Sequence, residues 1–138
     1  MPTCALILEN EKGEILFVKR KLPPKKNFWD LPGGFIDFKE KAEEAIIRET
    51  KEELGIKIKE IYYFGSYVGF YPYRGINYQP LCFFYITKLK NSQIKRIQVG
   101  DDAGDFKFFT KEKIPWSKLS FIDVKMALKD YLNYPDGV

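Results

Sequence analysis

Apolar residues run without interruption between Thr3 and Glu9, and this run predicts a buried β-strand. A turn that ends in glycine follows at residues 10–13, and residues 15–20 form a second apolar run. Two such runs separated by a short glycine-containing turn are typical of a β-hairpin. We therefore predict that the chain begins with a hairpin of two buried strands.

The later part of the chain contains further segments with strand-like patterns. Apolar and polar residues alternate over residues 56–63, and the pattern continues over residues 64–71 as far as a predicted loop at residues 72–75. Residues 76–89 are rich in aromatic and β-branched side chains and predict one long strand. Two shorter strands are expected within residues 90–98, which otherwise form a connection, and at residues 105–109.

Two segments have the spacing of amphipathic helices. The first is predicted over residues 40–54 and ends at Gly55, because glycine commonly terminates a helix. Its predicted buried side consists of Ile46, Ile47, Thr50 and Leu54. Ser120 and Asp123 have the spacing of a capping box, which predicts that a terminal helix begins there. Strands interleaved with only two substantial helices indicate an α+β fold, a mixed sheet with one helix on each face.

The composition is that of an ordinary globular protein, and its 138 residues fit one domain over residues 1–138. No apolar run approaches the length of a membrane span, and the N-terminus lacks the charged-then-apolar layout of a signal peptide, so we expect a cytoplasmic protein without a membrane partner.

The net charge of +4 comes from scattered lysines, which favours a solvated surface over a site for a nucleic-acid polymer. Cys4 and Cys82 are expected to be buried, reduced thiols.

The chain contains no histidine, so acid–base or metal chemistry must use carboxylates, lysine or tyrosine. Glu49, Glu52 and Glu53 lie at offsets of zero, three and four on the predicted helix and therefore share one narrow stripe of its surface. Such oxygen ligands suit Mg²⁺ or Mn²⁺, and a metal there would bridge phosphate oxygens and activate water. Taken alone, the triplet fits an ordinary solvated helix better than a metal site.

Residues 34–56 resemble the Nudix box, the signature Gly-x5-Glu-x7-Arg-Glu-U-x-Glu-Glu-x-Gly-U in which U is a bulky aliphatic residue. The matching positions are Gly34, Glu40, Arg48, Glu49, Glu52, Glu53, Gly55 and Ile56. Thr50 is the one departure, and we expect only a small packing cost because Thr is similar in size to Val. Residues 28–34 and 105–109 resemble the segment before the box and the family's late strand, so the resemblance covers nearly the whole chain.

This resemblance implies the Nudix fold, an α/β/α sandwich around a mixed sheet, and hydrolysis that depends on a divalent metal, Mg²⁺ or Mn²⁺. By analogy with the family, the metal ligands are the carboxylates of Glu49, Glu52 and Glu53 and the backbone carbonyl of Gly33. Arg48 would hold the loop and the helix in register, together with Glu40, and would direct a glutamate.

The base that activates water differs among family members, so two alternatives stay open. One is Glu52 within the box. The other is a carboxylate of a late acidic loop, for which Asp102 is favoured over Asp101 and Asp105 because of its reach. The predicted catalytic residues are therefore Glu49, Glu52, Arg48 and Asp102.

The predicted substrate-binding residues are Arg20, Phe70, Tyr73 and Arg74. Aromatic rings there could stack a nucleobase, although aromatic-rich strands are more often simply core or sheet surface, and the fork of arginine suits phosphate. The sequence looks most like NADH-pyrophosphatase-like and ADP-ribose-pyrophosphatase-like members, which implies hydrolysis of a nucleoside diphosphate linked to another moiety. The alternatives are oxidised nucleoside triphosphates, dinucleoside polyphosphates and a non-catalytic nucleotide-sensing module. An aromatic edge at Tyr62 and Tyr63 could support a homodimer.

Overall fold

The computed structural model describes residues 1–100 and 104–134. Its strands are β1 (Thr3–Glu9), β2 (Ile15–Lys19), β3 (Trp29–Asp30), β4 (Gly33–Phe35), β5 (Tyr62–Val68), β6 (Tyr71–Tyr73), β7 (Ile76–Tyr78), β8 (Leu81–Lys88) and β9 (Phe106–Phe109). Its α-helices are α1 (Ala42–Leu54), α2 (Asn91–Ile94) and α3 (Ile122–Leu132), with short 3-10 helices at Lys111–Lys113 and Trp116–Lys118.

Among the described residues the main sheet has seven strands and is mixed, because β1 and β8 run parallel while the other paired strands are antiparallel. The predicted hairpin of β1 and β2 is confirmed, and its turn is held by Asn10, whose side-chain oxygen accepts the N–H groups of Lys12 and Glu14. A separate two-stranded sheet consists of β6 and β7.

The central strand β1 is buried on both faces, and its alternating side chains belong to two cores. Leu6 and Leu8 pack with residues of α1, whereas Ala5 and Ile7 pack with residues of α3. One helix therefore covers each face of the sheet, which confirms the predicted α/β/α sandwich. In the described part of the chain, no helix is long and apolar enough to cross a membrane.

The position of β4 creates the site. While β8 pairs with the whole length of β1, the other edge of β1 is shared between two strands. There β4 pairs with the N-terminal half of β1, and β2 pairs with its C-terminal end. A Cβ atom on Gly33 would lie 2.0 Å from the carbonyl oxygen of Cys4, so only glycine permits this close pairing. The arrangement places the backbone of β4 directly against α1.

Several predicted elements are wrong in type or extent. Residues 56–61 are not a strand, although Ile56 and Ile58 are buried in the core as the alternation indicated. The predicted long strand over residues 76–89 is divided into β7 and β8 at residues 79–80, because Pro80 has no N–H for a ladder. Residues 90–98 contain the short helix α2 instead of an edge strand.

Boundaries also differ at three places. The predicted loop at residues 72–75 is a hairpin in which only Arg74 and Gly75 form the turn. The helix predicted over residues 40–54 begins two residues later, at Ala42. The N-cap of α3 is Phe121 and makes no side-chain capping bond, so Ser120 does not cap this helix as the spacing predicted.

Candidate active site

Helix α1 carries the predicted glutamates and is fixed at both ends. Its first turn is closed by Glu44, whose carboxylate accepts the backbone N–H of Lys41 at 2.9 Å. Gly55 ends the helix in the left-handed conformation, with φ of 71°, as predicted. Ile46, Thr50 and Leu54 are buried, and Ile47 packs against the same core. Burial of this side turns the glutamate stripe toward β4.

Two of the predicted metal ligands lie directly against the glycines of β4. The N–H of Gly33 donates to Oε2 of Glu53 at 3.1 Å. A Cβ on Gly34 would lie 2.6 Å from Cδ of Glu49, so the absence of a side chain lets that carboxylate approach the strand. Burial raises the pKa of Glu49, and it raises the pKa of Glu53 well above its ordinary value. Glu49 is paired with Arg48, whereas Glu53 has no cationic partner among the described residues.

Arg48 organises the other side of the stripe. Its Nε and Nη2 form a two-point contact with Glu40, at 2.8 and 2.9 Å, and Nη2 also donates to the carbonyl oxygen of Phe35 at 3.1 Å. Its Nη1 donates to Glu49 at 2.9 Å. The hydrogen bonds from Arg48 lower the pKa of Glu40 to about 2, and those bonds hold the pKa of Arg48 above its ordinary value. These contacts join α1 to the loop before it, which is the role that the family resemblance implies for Glu40 and Arg48.

Glu52 differs from its two neighbours because its side chain is 58% exposed. Its only ion pair among the described residues is a long one, 3.4 Å, with Nη1 of Arg48. Within residues 1–100 and 104–134, no three carboxylate or thiol groups are arranged so that they could hold a metal ion as they stand. The proposed ligand set of Glu49, Glu52, Glu53 and the Gly33 carbonyl therefore stays a prediction. Its chemistry fits a hard divalent cation, because carboxylate and carbonyl oxygens are what Mg²⁺ and Mn²⁺ prefer.

The four predicted substrate residues are not all in one place. Arg20 and Phe70 line a cleft of about 130 Å³ beside β4. Arg20 is held there by Asp30, at 3.2 Å, and by the carbonyl oxygen of Pro24, at 2.8 Å. Tyr73 and Arg74 lie instead at the tip of the β6–β7 hairpin, where the guanidinium stacks on the tyrosine ring at 5.1 Å, and they do not line this cleft.

The predicted late-loop base Asp102 lies outside the described residues, as does Asp101. Asp105 is described: its side chain is exposed and its carbonyl oxygen accepts the N–H of Lys19.

The cysteines are buried and unbridged, as predicted. Tyr62 and Tyr63 are exposed on β5, and the proposed homodimer stays a prediction.

The cleft beside β4 contains residues that sequence reasoning missed, and we call it the Asp123 cleft. Besides Arg20 and Phe70, its lining includes Gly33, Gly34, Phe35, Tyr71, Phe121, Asp30 and Asp123. The rings of Tyr71 and Phe121 stack 5.1 Å apart, and the Arg20 guanidinium lies 5.0 Å from the centre of Phe121. The spacing of Ser120 and Asp123 drew attention to Asp123, but it indicated a helix cap instead of a cleft.

Two carboxylates lie in this cleft under different conditions. Asp30 is paired with Arg20 and also accepts the N–H of Leu31 at 2.8 Å, although burial still raises its pKa. Asp123 is only 7% exposed and forms no ion pair among the described residues. Burial, with a smaller contribution from Asp30, raises the pKa of Asp123 to about 6. Asp123 is therefore a largely ionised, buried acceptor near neutral pH.

The chain matches the NUDIX domain family model over residues 1–127. It is 35% identical over 133 residues to an ADP-ribose pyrophosphatase of Methanocaldococcus jannaschii, a match that covers 95% of this chain and 72% of that protein. It is also 36% identical over 87 residues to an RNA pyrophosphohydrolase of Marinomonas, covering 59% of this chain and 52% of the relative.

Solved structures show the same architecture. The crystal structure of a MutT NUDIX hydrolase from Burkholderia pseudomallei has a TM-score of 0.77 at 25% identity, covering 92% of this chain and 94% of that one. The NUDIX domain of Shewanella oneidensis NrtR, crystallised with ADP ribose, shares the fold with a TM-score of 0.76 at 20% identity, covering 96% of this chain and 88% of that one. These matches confirm the resemblance inferred from the sequence: the chain belongs to the NUDIX domain family and is a Nudix pyrophosphohydrolase.

Proposed function

We propose that this enzyme hydrolyses the pyrophosphate bond of a nucleoside diphosphate linked to another moiety, with ADP-ribose or NADH as the favoured kind of substrate, and that it requires Mg²⁺ or Mn²⁺. The similarity to an ADP-ribose pyrophosphatase across 95% of the chain supports the substrate. The observation that carries the chemistry is the Glu53 carboxylate, which is held by Gly33 beside other carboxylates and lacks a cationic partner among the described residues.

A divalent metal would offset that excess of negative charge. Glu49, Glu52, Glu53 and the Gly33 carbonyl are the residues that would hold it. When bound, such a metal neutralises charge on the phosphate oxygens and lowers the pKa of bound water. Nudix hydrolases in general use divalent metals, which agrees with this donor set.

The protein's own contribution is orientation and proton transfer. Arg48 fixes Glu49 through a 2.9 Å hydrogen bond, and its guanidinium is itself held by Glu40 and the Phe35 carbonyl. Glu52 is solvent-exposed and only loosely held, so its carboxylate oxygen is free to accept a proton from an attacking water. We favour Glu52 as this base, with Asp102 as the alternative. We expect Arg20, which lines the cleft beside β4, to contact the substrate's polar groups.

A panel of substrates tests the proposal. Purified protein is incubated with Mg²⁺ or Mn²⁺ and with ADP-ribose, NADH, a diadenosine polyphosphate, an oxidised deoxyguanosine triphosphate or a 5′-triphosphorylated RNA, and products are separated by chromatography. We expect AMP and ribose 5-phosphate from ADP-ribose, or AMP and the reduced nicotinamide mononucleotide from NADH, and no product in EDTA.

Three results would contradict the proposal. Faster turnover of the oxidised triphosphate, the diadenosine compound or the RNA would assign a different substrate. Undiminished turnover in EDTA would remove the metal requirement. Tight binding of ADP-ribose without release of AMP would indicate that the site senses this compound without cleaving it.

A further inference from the structure

The C-terminal end of α1 is closed by a segment from elsewhere in the chain. The last carbonyl groups of an α-helix have no N–H partner within the helix. In α1 two of them accept backbone N–H groups from residues 98–100. Gln98 donates to the carbonyl oxygen of Leu54, and Gly100 donates to that of Glu53, each at 2.9 Å. We call residues 98–100 the capping segment, and it bonds to the turn that carries the last two glutamates of the stripe.

Gly100 lies directly against the backbone of the helix. A Cβ atom on Gly100 would lie 2.3 Å from the carbonyl oxygen of Glu52, a distance that real Cβ atoms essentially never show. The next nearest atoms are also backbone atoms, of Glu52 and Glu53, so no flexible side chain could move to make room. Any side chain at position 100 must therefore displace either the capping segment or the last turn of α1.

The capping segment is itself fixed in place. Ile94 and Ile97, on its N-terminal side, pack against the same core as Leu54. A Cβ on Gly55 would lie 3.1 Å from the carbonyl oxygen of Gln98, so the segment also fits closely against the residue that ends the helix. Because the segment is held at these points, its hydrogen bonds restrict the last turn of α1.

Glu53 is consequently held at two points. Its carboxylate accepts the N–H of Gly33 at 3.1 Å, and its backbone carbonyl accepts the N–H of Gly100 at 2.9 Å. We propose that Gly100 is a positioning residue for the metal site, because it lets the capping segment reach α1 and so fixes the backbone from which Glu52 and Glu53 project. This inference rests on the proposed function, since it concerns carboxylates that would hold the metal.

The capping segment also reduces the negative charge at this end of the helix. The C-terminal end of an α-helix carries a partial charge of roughly −0.5, which comes from its unpaired carbonyl groups. In α1 that charge adds to the repulsion among the three glutamates of the stripe. The N–H groups that donate to the carbonyls of Glu53 and Leu54 offset part of it. Displacement of the segment would therefore disturb both the geometry and the charge balance of the site.

Binding of Mn²⁺ to the variant G100A provides the first test. Affinity is measured by electron paramagnetic resonance of the free ion, which requires no substrate. We expect the affinity to fall about tenfold or more, the range seen when residues that orient metal ligands are changed. Turnover with saturating metal should also fall by about 10²-fold, since a displacement of about 1 Å at a reacting centre can have that effect.

The variant G104A is the matched control. A Cβ on Gly104 would lie 2.5 Å from the carbonyl oxygen of Lys19, so alanine makes the same kind of clash, but with β2 instead of α1. Neither glycine has a positive φ, so alanine adds no backbone strain of that kind at either position. Urea unfolding in EDTA should show similar losses of stability for the two variants. The Mn²⁺ affinity of G104A should nevertheless stay within about twofold of wild type.

Hydrogen exchange of the wild-type protein gives a second test that needs no variant. If metal binds only when the capping segment is bonded to α1, Mg²⁺ at ten times its dissociation constant should slow exchange of the Gly100 N–H about tenfold. The N–H of Gly104, which donates to the carbonyl oxygen of Lys19 at 3.1 Å, is the control and should change by less than about twofold.

Several results would overturn the inference. They are an unchanged Mn²⁺ affinity in G100A, equal losses of affinity in G100A and G104A, and equal effects of Mg²⁺ on the two amides. If G100A does not fold, hydrogen exchange of the wild type alone decides the outcome.

Failure of the proposed function gives a different pattern. A selective loss of Mn²⁺ affinity in G100A, without cleavage of ADP-ribose or NADH by the wild type, would leave the position of Gly100 in the metal site standing. Cleavage by the wild type with equal Mn²⁺ affinities in all three proteins would leave only the proposed function standing. A wild-type protein that binds neither Mn²⁺ nor Mg²⁺ would overturn both.

Discussion

Glu40 and Glu53 belong to the same short segment, yet their carboxylates are held in opposite electrostatic environments. Glu40 receives two hydrogen bonds from Arg48 and one from the N–H of Asp37, and these lower its pKa to about 2. Glu53 receives one N–H from Gly33, and burial raises its pKa, with smaller contributions from Glu49 and Asp30. The difference teaches that the positive charge of Arg48 stabilises the scaffold, whereas the innermost glutamate is left with unmatched negative charge.

The two environments have opposite effects on stability as pH changes. The pKa of Glu40 is lowered in the folded state, so its contribution is present above about pH 4.5 and is lost as pH falls toward 2. The pKa of Glu53 is raised in the folded state, so folding is favoured by its protonated form and this contribution is lost as pH rises through the folded pKa. Without metal, an ionised Glu53 therefore destabilises the protein.

The largest effect is expected from E53Q. Turnover should fall by about 10²–10³-fold, the range seen when one preorganised electrostatic contact to a transition state is removed. The metal-free variant should nevertheless be more stable than the wild type at pH 8, because the amide removes a buried charge. The advantage should shrink toward pH 4.5. Activity assays and urea unfolding in EDTA at both pH values measure the two effects.

Glu44→Gln is the matched control for this experiment. Glu44 lies on the same helix, its side chain is exposed, and glutamine can keep the hydrogen bond to the N–H of Lys41. Both turnover and stability should stay close to wild type. If E53Q were less stable than the wild type at pH 8, Glu53 would be a structural anchor and not an uncompensated site carboxylate.

E40Q is expected to lose less turnover than E53Q, and its stability should change in the opposite direction. Turnover should fall by about 10-fold, at the low end of the range for residues that orient a ligand, because Arg48 would lose its two-point partner. Stability should decrease at pH 7, and the difference from wild type should narrow as pH falls toward 3. Unfolding followed by fluorescence across this range measures the change.

Arg48→Lys separates charge from geometry in the same contact. Lysine keeps the positive charge but cannot reproduce the fork that meets Glu40 at 2.8 and 2.9 Å. We expect its turnover to fall as far as that of E40Q, with no further loss in the double variant. Wild-type turnover in R48K would show that the positive charge alone is sufficient for activity. The two-point contact between Arg48 and Glu40 would then not be needed to hold the site.

The features of the candidate site that lie along helix α1 could be predicted from the sequence. Spacing along one helix identified the stripe of Glu49, Glu52 and Glu53, and the stop at Gly55 followed from glycine's access to the left-handed region. These features depend on neighbouring residues alone. The same local reasoning failed at residues 56–61, where apolar residues are buried by packing under the sheet without joining it. An alternating apolar pattern indicates which side chains are buried. Whether the segment becomes a strand depends on a neighbouring strand to pair with, and the whole fold decides that.

The cleft could not be predicted in this way. Asp30 and Asp123 are separated by most of the chain, and they come together because the end of β3 and the start of α3 line the same cleft. Their raised pKa values arise from burial, which no short pattern encodes. The separation of Tyr73 and Arg74 from Arg20 and Phe70 could not be predicted for a related reason, since the β6–β7 hairpin carries them away from the cleft, and their contact with the substrate stays a prediction.

The smallest effect is expected from T50V, which tests whether packing of α1 alone could account for the contrast. Thr50 is buried and donates its hydroxyl to the carbonyl oxygen of Ile46 at 2.7 Å. Valine loses this bond, worth about 1 kcal/mol, but adds a buried methyl group of similar value, so stability should change by less than about 1 kcal/mol. Turnover should stay within about twofold of wild type, since no carboxylate is altered. Thr50→Ala, which also leaves a small cavity, should be less stable than T50V by about 1 kcal/mol or more, again with turnover retained. Turnover of T50V is measured beside that of E53Q and E40Q. A tenfold loss in T50V would mean that a small shift of the helix lowers turnover as much as removal of a carboxylate charge does. The losses in E53Q and E40Q could then not be assigned to the different environments of their carboxylates.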